Sequence, residues 1–223
     1  MAQPTKQAGF AADTSRRTLT QWAKALFILL LGLTVAHLGV TLFLLSELGS
    51  DPFTVMIQGI ARTVGLSIGT VHVIALCLLM VLMFFGTKGY VKPGTVVCAL
   101  LGGPIIDLFS WLLGRWITLE SHLAVRGVSM VLGCVILAAG MSLVINSRAG
   151  TGPNDLVAII LSDKLHRFQF RWVRMACDLC FLAVGFLLGG TVGVGTVVAA
   201  LLIGPVVQFW LPRTALVMGW IDG

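Results

Sequence analysis

The chain has 223 residues, 57% hydrophobic and 11% charged, with a formal net charge of +6. Soluble domains carry about 25% charged residues, so a soluble globular protein is excluded and lipid is the solvent that fits. The positive balance suits loops beside anionic headgroups better than it suits nucleic acid, so the expected partner is the bilayer and not a polynucleotide.

Residues 1–21 are polar and read as a disordered cytoplasmic tail. Ser15-Arg16-Arg17-Thr18-Leu19 faintly resembles a twin-arginine export signal. The apolar run that follows is longer than the 7–15 residues of a signal segment, which argues against cleavage. A spanning helix needs about 20 apolar residues. Six windows have that length: 22–45, 69–87, 94–114, 124–146, 172–190 and 195–213. They are continuous, not alternating segments of about ten residues, so the spans are helices and not barrel strands.

In the first window, His37 lies deep, where a histidine either carries protons or bonds a neighbouring helix. A short amphipathic segment follows at 52–65, with Ser50 or Asp51 as cap, Pro52 in the first turn, and Thr54 and Gln58 on its polar face. His72 falls on the first turn of the second span and reads as interfacial. The third span opens at Thr95 and breaks at Gly103-Pro104, three residues before the ionisable Asp107. A carboxylate there either faces a cavity as a cation or proton site or hydrates at the interface. A second short segment, 153–168, follows the fourth span, with Pro153, Asn154 and Asp155 at its start. Both short segments are expected to lie in the interface or to dip in re-entrantly.

The fifth span holds Arg174 and Asp178, spaced as a local i, i+4 pair. It also holds Gly185 and Gly189, a GxxxG spacing suited to close helix contact. The sixth opens at Thr196 and breaks at Gly204-Pro205, three residues before Gln208. The five cysteines, Cys77, Cys98, Cys134, Cys177 and Cys180, fall inside spans and read as packing groups; no disulfide, metal or cofactor is expected.

The chain resembles itself. GTVVCALLGGPIIDLF at 94–109 and GTVVAALLIGPVVQFW at 195–210 agree at nine of sixteen positions, 101 residues apart. The same offset aligns Gly32, Gly39, Gly49, Pro52 and Phe85 with Gly133, Gly140, Gly150, Pro153 and Phe186. With three spans per copy, the second copy enters the membrane inverted. Charge agrees. With the N-terminus cytoplasmic, Arg62, Arg115 and Arg126 fall outside, and the other twelve Lys and Arg fall inside. Loop 46–68 carries only Arg62, whereas its duplicate carries Arg148, Lys164, Arg167 and Arg171. The expected fold is an all-α membrane protein: six transmembrane helices as two inverted three-helix repeats, 22–114 and 124–213, each with one extra short helix. Both termini would face the cytoplasm.

Inverted repeats place substrate at interrupted helices near the bilayer midplane. The candidate substrate-binding residues are therefore Asp51, Thr54, Gln58, Thr95, Asp107, Asn154, Asp155, Thr196 and Gln208. Gly103, Pro104, Gly204 and Pro205 are the hinge candidates, and His37 and Asp107 the candidates for proton coupling. No Walker A, HExxH or GxSxG pattern is present, so neither nucleotide hydrolysis nor another enzymatic role is expected.

The segments LGSDPFTVMIQGI, AGTGPNDLVAIIL and GGTVGVGTVVAALLIGPVVQF resemble the YczE/YitT-type family of bacterial integral membrane proteins, over roughly residues 22–212. Repeat one departs from the GTGPND motif, reading GSDPFT, which adds weight to Asn154 and Asp155. The resemblance implies a small polytopic protein of the bacterial inner membrane. Relatives of this type often neighbour pyridoxal-phosphate-sensing regulators, which implies a vitamin B6-like compound or an amine as cargo. The leading expectation is a secondary transporter for a small polar or amphipathic molecule, working by alternating access and able to self-associate. The alternatives are a substrate-binding membrane subunit of a multi-component transporter, or an accessory protein of a membrane or secretory complex.

Overall fold

The computed structural model describes residues 17–86, 90–118, 120–165, 167–168 and 170–222, and they contain nine α-helices and no strand. These are α1 (Leu19–Ser46), α2 (Pro52–Val64), α3 (Ile68–Gly86), α4 (Pro93–Leu113), α5 (Leu123–Ser147), α6 (Pro153–Lys164), α7 (Phe170–Leu187), α8 (Val194–Thr214) and α9 (Leu216–Asp222). Of the polar tail, 1–16 lie outside the described residues, and the rest is not tail. Thr18 closes a capping box with Gln21, which starts α1 three residues ahead of the expected window.

Among the described residues, five helices are long and apolar enough to cross a membrane: α1, α3, α4, α5 and α8. The sixth expected window became α7, an 18-residue helix whose Arg171, Arg174 and Asp178 lower its apolarity below that of a free-standing span. The chain is therefore an all-helical, multi-pass membrane protein.

Antiparallel α1 and α5 form the spine. Gly32 meets Gly140 and Gly39 meets Gly133, and a Cβ at any of the four would strike main-chain atoms of the other helix. Around this crossing Ala36, Val40, Phe43, Met130, Cys134 and Leu137 close a buried core. Both helices end the same way, on a non-glycine residue in the left-handed region: Glu47 at φ 50° and Arg148 at φ 53°. Each is followed by a glycine at positive φ, Gly49 or Gly150.

The loops that follow cross over to the other half. Gly94 N donates to Ala149 O at 3.0 Å, and Gly195 N donates to Leu48 O at 2.7 Å. Gly49 lies against Thr196, and Gly150 lies against Thr95. Each long helix α4 and α8 is thus seated by the loop of the opposite half.

The short helix α2 is packed inside the bundle. Its polar residues Thr54 and Gln58 are each 4% exposed, which a helix lying flat in the interface would not allow. It presses against α7, where Gly59 faces Gly185 O and Gly185 faces the backbone of Val55 and Met56. Gly189 takes no part: it lies beyond the end of α7 at φ 81° with open space around it. The GxxxG expectation therefore fails, because the close contact runs from Gly185 to α2 and not along a helix–helix stripe.

Helix α9 was not anticipated. It folds back onto the start of α1, where Ile221 is buried with Ala25, Ile28 and Leu29, and Lys24 Nζ donates to Trp220 O at 3.0 Å.

Candidate functional site

A half-open cavity of about 150 Å³ lies beside the α1/α5 spine. Roughly that volume accepts a benzene-sized ring. The starts of both short helices reach it: Asp51, Phe53 and Thr54 from α2, and Thr151, Gly152, Asn154 and Asp155 from α6. Much of the remaining wall is apolar, including Leu33, Val40, Leu76, Leu137, Met141 and Ile203.

The α2 start is capped by its own residue, since Thr54 N donates to Asp51 Oδ1 at 3.2 Å. The α6 start has no side-chain cap: its cap position is Gly152 and the next residue is Pro153. Free amide groups at such a start carry partial positive charge. Asp155, in the first turn, complements it and also receives Arg174 Nη1 at 2.7 Å. Arg174 Nε donates to Asp178 Oδ2 at 3.2 Å. The expected i, i+4 pair is real, but Arg174 does more than it implies, because it clamps α7 to the mouth of α6. Asp51 and Asp155 thus line the cavity with one guanidinium, Arg174, which also pairs with Asp178.

Two histidines complete the wall. His37 and His72 stand edge to face with ring centroids 5.4 Å apart, and Phe53 packs edge-on to His72 at 5.7 Å. Both Nε2 atoms converge over Gly102, where an added Cβ would meet His37 Nε2 first and His72 Nε2 next. His37 Nδ1 donates to Leu33 O at 2.8 Å. The tautomer fixed by that bond leaves Nε2 as an acceptor, facing Gly102 and His72. His72, read from the sequence as interfacial, is 7% exposed and packed into this wall.

Of the sequence candidates, Asp51, Thr54, Asn154, Asp155 and His37 meet here. The others do not. Gln58 Oε1 accepts from Thr191 N at 2.7 Å and braces a loop. Asp107 caps the start of α3, accepting from Ser67 Oγ at 2.6 Å and from Gly69 N at 2.9 Å. Thr95 and Thr196 are buried at the loop crossovers, and the Thr95 hydroxyl has no partner among the described residues. Gln208, Gly204 and Pro205 are exposed on the outer face of α8. Gly103 serves packing, with Gly69 of α3 against its backbone. The paired Gly-Pro breaks therefore do not converge on the cavity. His72, Arg174 and Gly102 were missed.

Residues 23–212 match a family described as a family of unknown function, DUF6198. An uncharacterized protein of Haemophilus influenzae is 34% identical over 188 residues, 84% of each chain. The uncharacterized membrane protein YczE of Bacillus subtilis is 27% identical over 184 residues, 82% of this chain and 83% of its own. The uncharacterized protein YyaS of the same organism is 24% identical over 182 residues, 82% of this chain and 90% of its own. No solved structure matches. The matched stretch takes in every residue of the cavity wall, from Leu33 of α1 to Ile203 of α8. The chain belongs to the DUF6198 family, a YczE-type family of membrane proteins.

Proposed function

We propose that this protein is a secondary-transporter-like carrier that moves a small amphipathic molecule bearing positive charge across the bacterial inner membrane by alternating access. The observation that carries the proposal is the meeting of both short-helix starts at one largely apolar cavity. Broken or dipping helices that end at a shared site are how membrane carriers bring backbone and carboxylate groups to a substrate. In this reading Asp51 and the Arg174-bridged Asp155 receive the charge, His37 Nε2 accepts a hydrogen bond or a proton, and the apolar wall takes the rest of the molecule.

The carrier is built as two inverted repeats of three spans. Supporting this, the exchanged bonds Gly94–Ala149 and Gly195–Leu48 join equivalent residues, as do the Gly32–Gly140 and Gly39–Gly133 contacts, all at the 101-residue offset. An even span count also has support. The contact of α9 with Lys24 puts the C-terminal helix at the same end of the bundle as the start of α1, and five crossings would separate them. The sixth crossing is α7, whose charged residues Arg174 and Asp178 turn to each other and to Asp155. The excess of basic residues then puts both termini on the cytoplasmic side.

The test is uptake by proteoliposomes of a panel of amphipathic amines, vitamin B6-like compounds among them, with and without a proton gradient. The expected result is saturable flux that Asp51→Asn or Asp155→Asn removes. Absence of flux and of ligand-dependent thermal stabilisation across the panel would sink the proposal.

A further inference from the structure

Both ends of the bundle are built from the same three positions, with the charges reversed. At the 101-residue offset Glu47 corresponds to Arg148, Arg62 to Asp163 and Thr191 to Tyr90. Glu47 and Arg148 are the left-handed caps of α1 and α5. Arg62 and Asp163 lie in the last turns of α2 and α6. Thr191 and Tyr90 lie in the connections leading to α8 and α4. A reversal at one charged position alone would oppose like charges. Both are reversed together, so complementarity survives where residue identity does not.

The pair is made at one end only. Arg62 Nη2 donates to Glu47 Oε2 at 3.2 Å, and Thr191 Oγ1 donates to the same oxygen at 3.0 Å. Arg62 Nη1 reaches Gly189 O at 2.7 Å, and Arg126 Nε reaches Ser46 O at 2.7 Å, which ties α2, α5 and the α7–α8 connection into one knot. At the other end Tyr90 Oη donates to Asp163 Oδ2 at 2.8 Å, but no ion pair joins Asp163 to Arg148 among the described residues. Arg148 stands instead near Lys92. Burial, then the charges of Arg17 and Arg148, hold the Lys92 ammonium below its ordinary pKa. An arginine set among cations, one helix away from its equivalent carboxylate, is a half-made pair.

We propose that Glu47–Arg62 and Arg148–Asp163 are alternate latches on the two mouths of the carrier. The present form has the first closed and the second open. Transport exchanges them, each end taking in turn the arrangement the other now holds. Partly exposed pairs suit this work: they bias an equilibrium without trapping it. The inference rests on the alternating-access reading above.

The test places spin labels, on a chain whose native cysteines are replaced by alanine, at Val64 and Val192 for one end. Their equivalents Leu165 and Val91 report the other end. Pulsed dipolar distances are measured in liposomes without cargo. Arg62→Gln should raise the long-distance population of Val64–Val192 by about two- to fivefold, the shift expected from losing one exposed pair. The short-distance population of Leu165–Val91 should rise in step. Asp163→Asn should move both the other way, and the double swap Glu47→Arg with Arg62→Glu should restore the parent distribution, which separates a latch from a folding defect. Distances that Arg62→Gln leaves unchanged, or that change at one end only, overturn the latches. Because no cargo is needed, flux with unmoved distances would refute the latches alone. Reciprocal distances without flux would support the latches and count against the cargo proposal.

Discussion

Substituting Gly140 by alanine tests the spine of the fold. A Cβ at Gly140 would overlap Ala36 N, with Ala36 Cα and Gly32 O at 2.6 Å. All three are main-chain atoms, so no rotamer change relieves them and α1 must move off α5. Overpacking of a rigid contact costs about 1–3 kcal/mol, and this one belongs near the upper end. Alanine returns about 1 kcal/mol of helix propensity. The expected net loss is about 1–2 kcal/mol. Gly127 of the same helix is the control, because nothing lies within 4 Å of its added Cβ. Gly127→Ala should be neutral or stabilising by up to about 1 kcal/mol. The two variants should therefore differ by about 1–3 kcal/mol in reversible unfolding in mixed micelles. Gly39→Ala strikes Leu137 across the same crossing, so its loss and that of Gly140→Ala should sum to less than their total, because one shift of α1 off α5 relieves both. Equal stability of the Gly140 and Gly127 variants would refute backbone-to-backbone packing at the crossing.

The Arg174–Asp155 bond joins α7 to α6, so Arg174→Gln and Asp155→Asn should be non-additive, with a coupling of about 1–2 kcal/mol in a double-mutant cycle of unfolding. Gln208→Ala should leave stability within about 0.5 kcal/mol and ligand-induced stabilisation unchanged, because the residue faces away from the cavity. Asp107→Ala should lower stability by about 1 kcal/mol through loss of the α3 cap, again without altering ligand response. Gly102→Ala should weaken ligand binding far more than it weakens the fold, since its methyl would fill the space between His37 and His72; equal losses in both assays would argue against that placement.

The spans were legible because lipid demands continuous apolar runs, and the glycine pairs were legible because the duplication puts them at one offset. What escaped was set by neighbours distant in sequence. His72 looked interfacial from its place on the first turn of α3, but α2 packs inside the bundle and Phe53 covers it. Arg174 looked satisfied by Asp178 four residues on, and nothing local revealed Asp155 on another helix. Gln208 was a candidate because it holds the position equivalent to Asp107, three residues past the Gly-Pro break. In the first half Gly69 lets α3 lie against Gly103, so Asp107 has a helix start to cap. The position equivalent to Gly69 is Phe170, not a glycine, and the Gly204 backbone has open space around it. Duplication therefore forecast the scaffold well and the chemistry poorly.

The crossed bonds between Leu48 and Gly195 and between Ala149 and Gly94 also govern how the protein is made. The Leu48 carbonyl emerges from the ribosome 147 residues ahead of its donor. At about 5–20 residues per second it waits roughly 7–30 s in the membrane without that partner. The first half must therefore insert as an incomplete body, its loop held open by water or by the insertion machinery, until the last long helix arrives. Neither half has a finished fold to offer alone. Two separately translated halves should accumulate only when made together in the same cell.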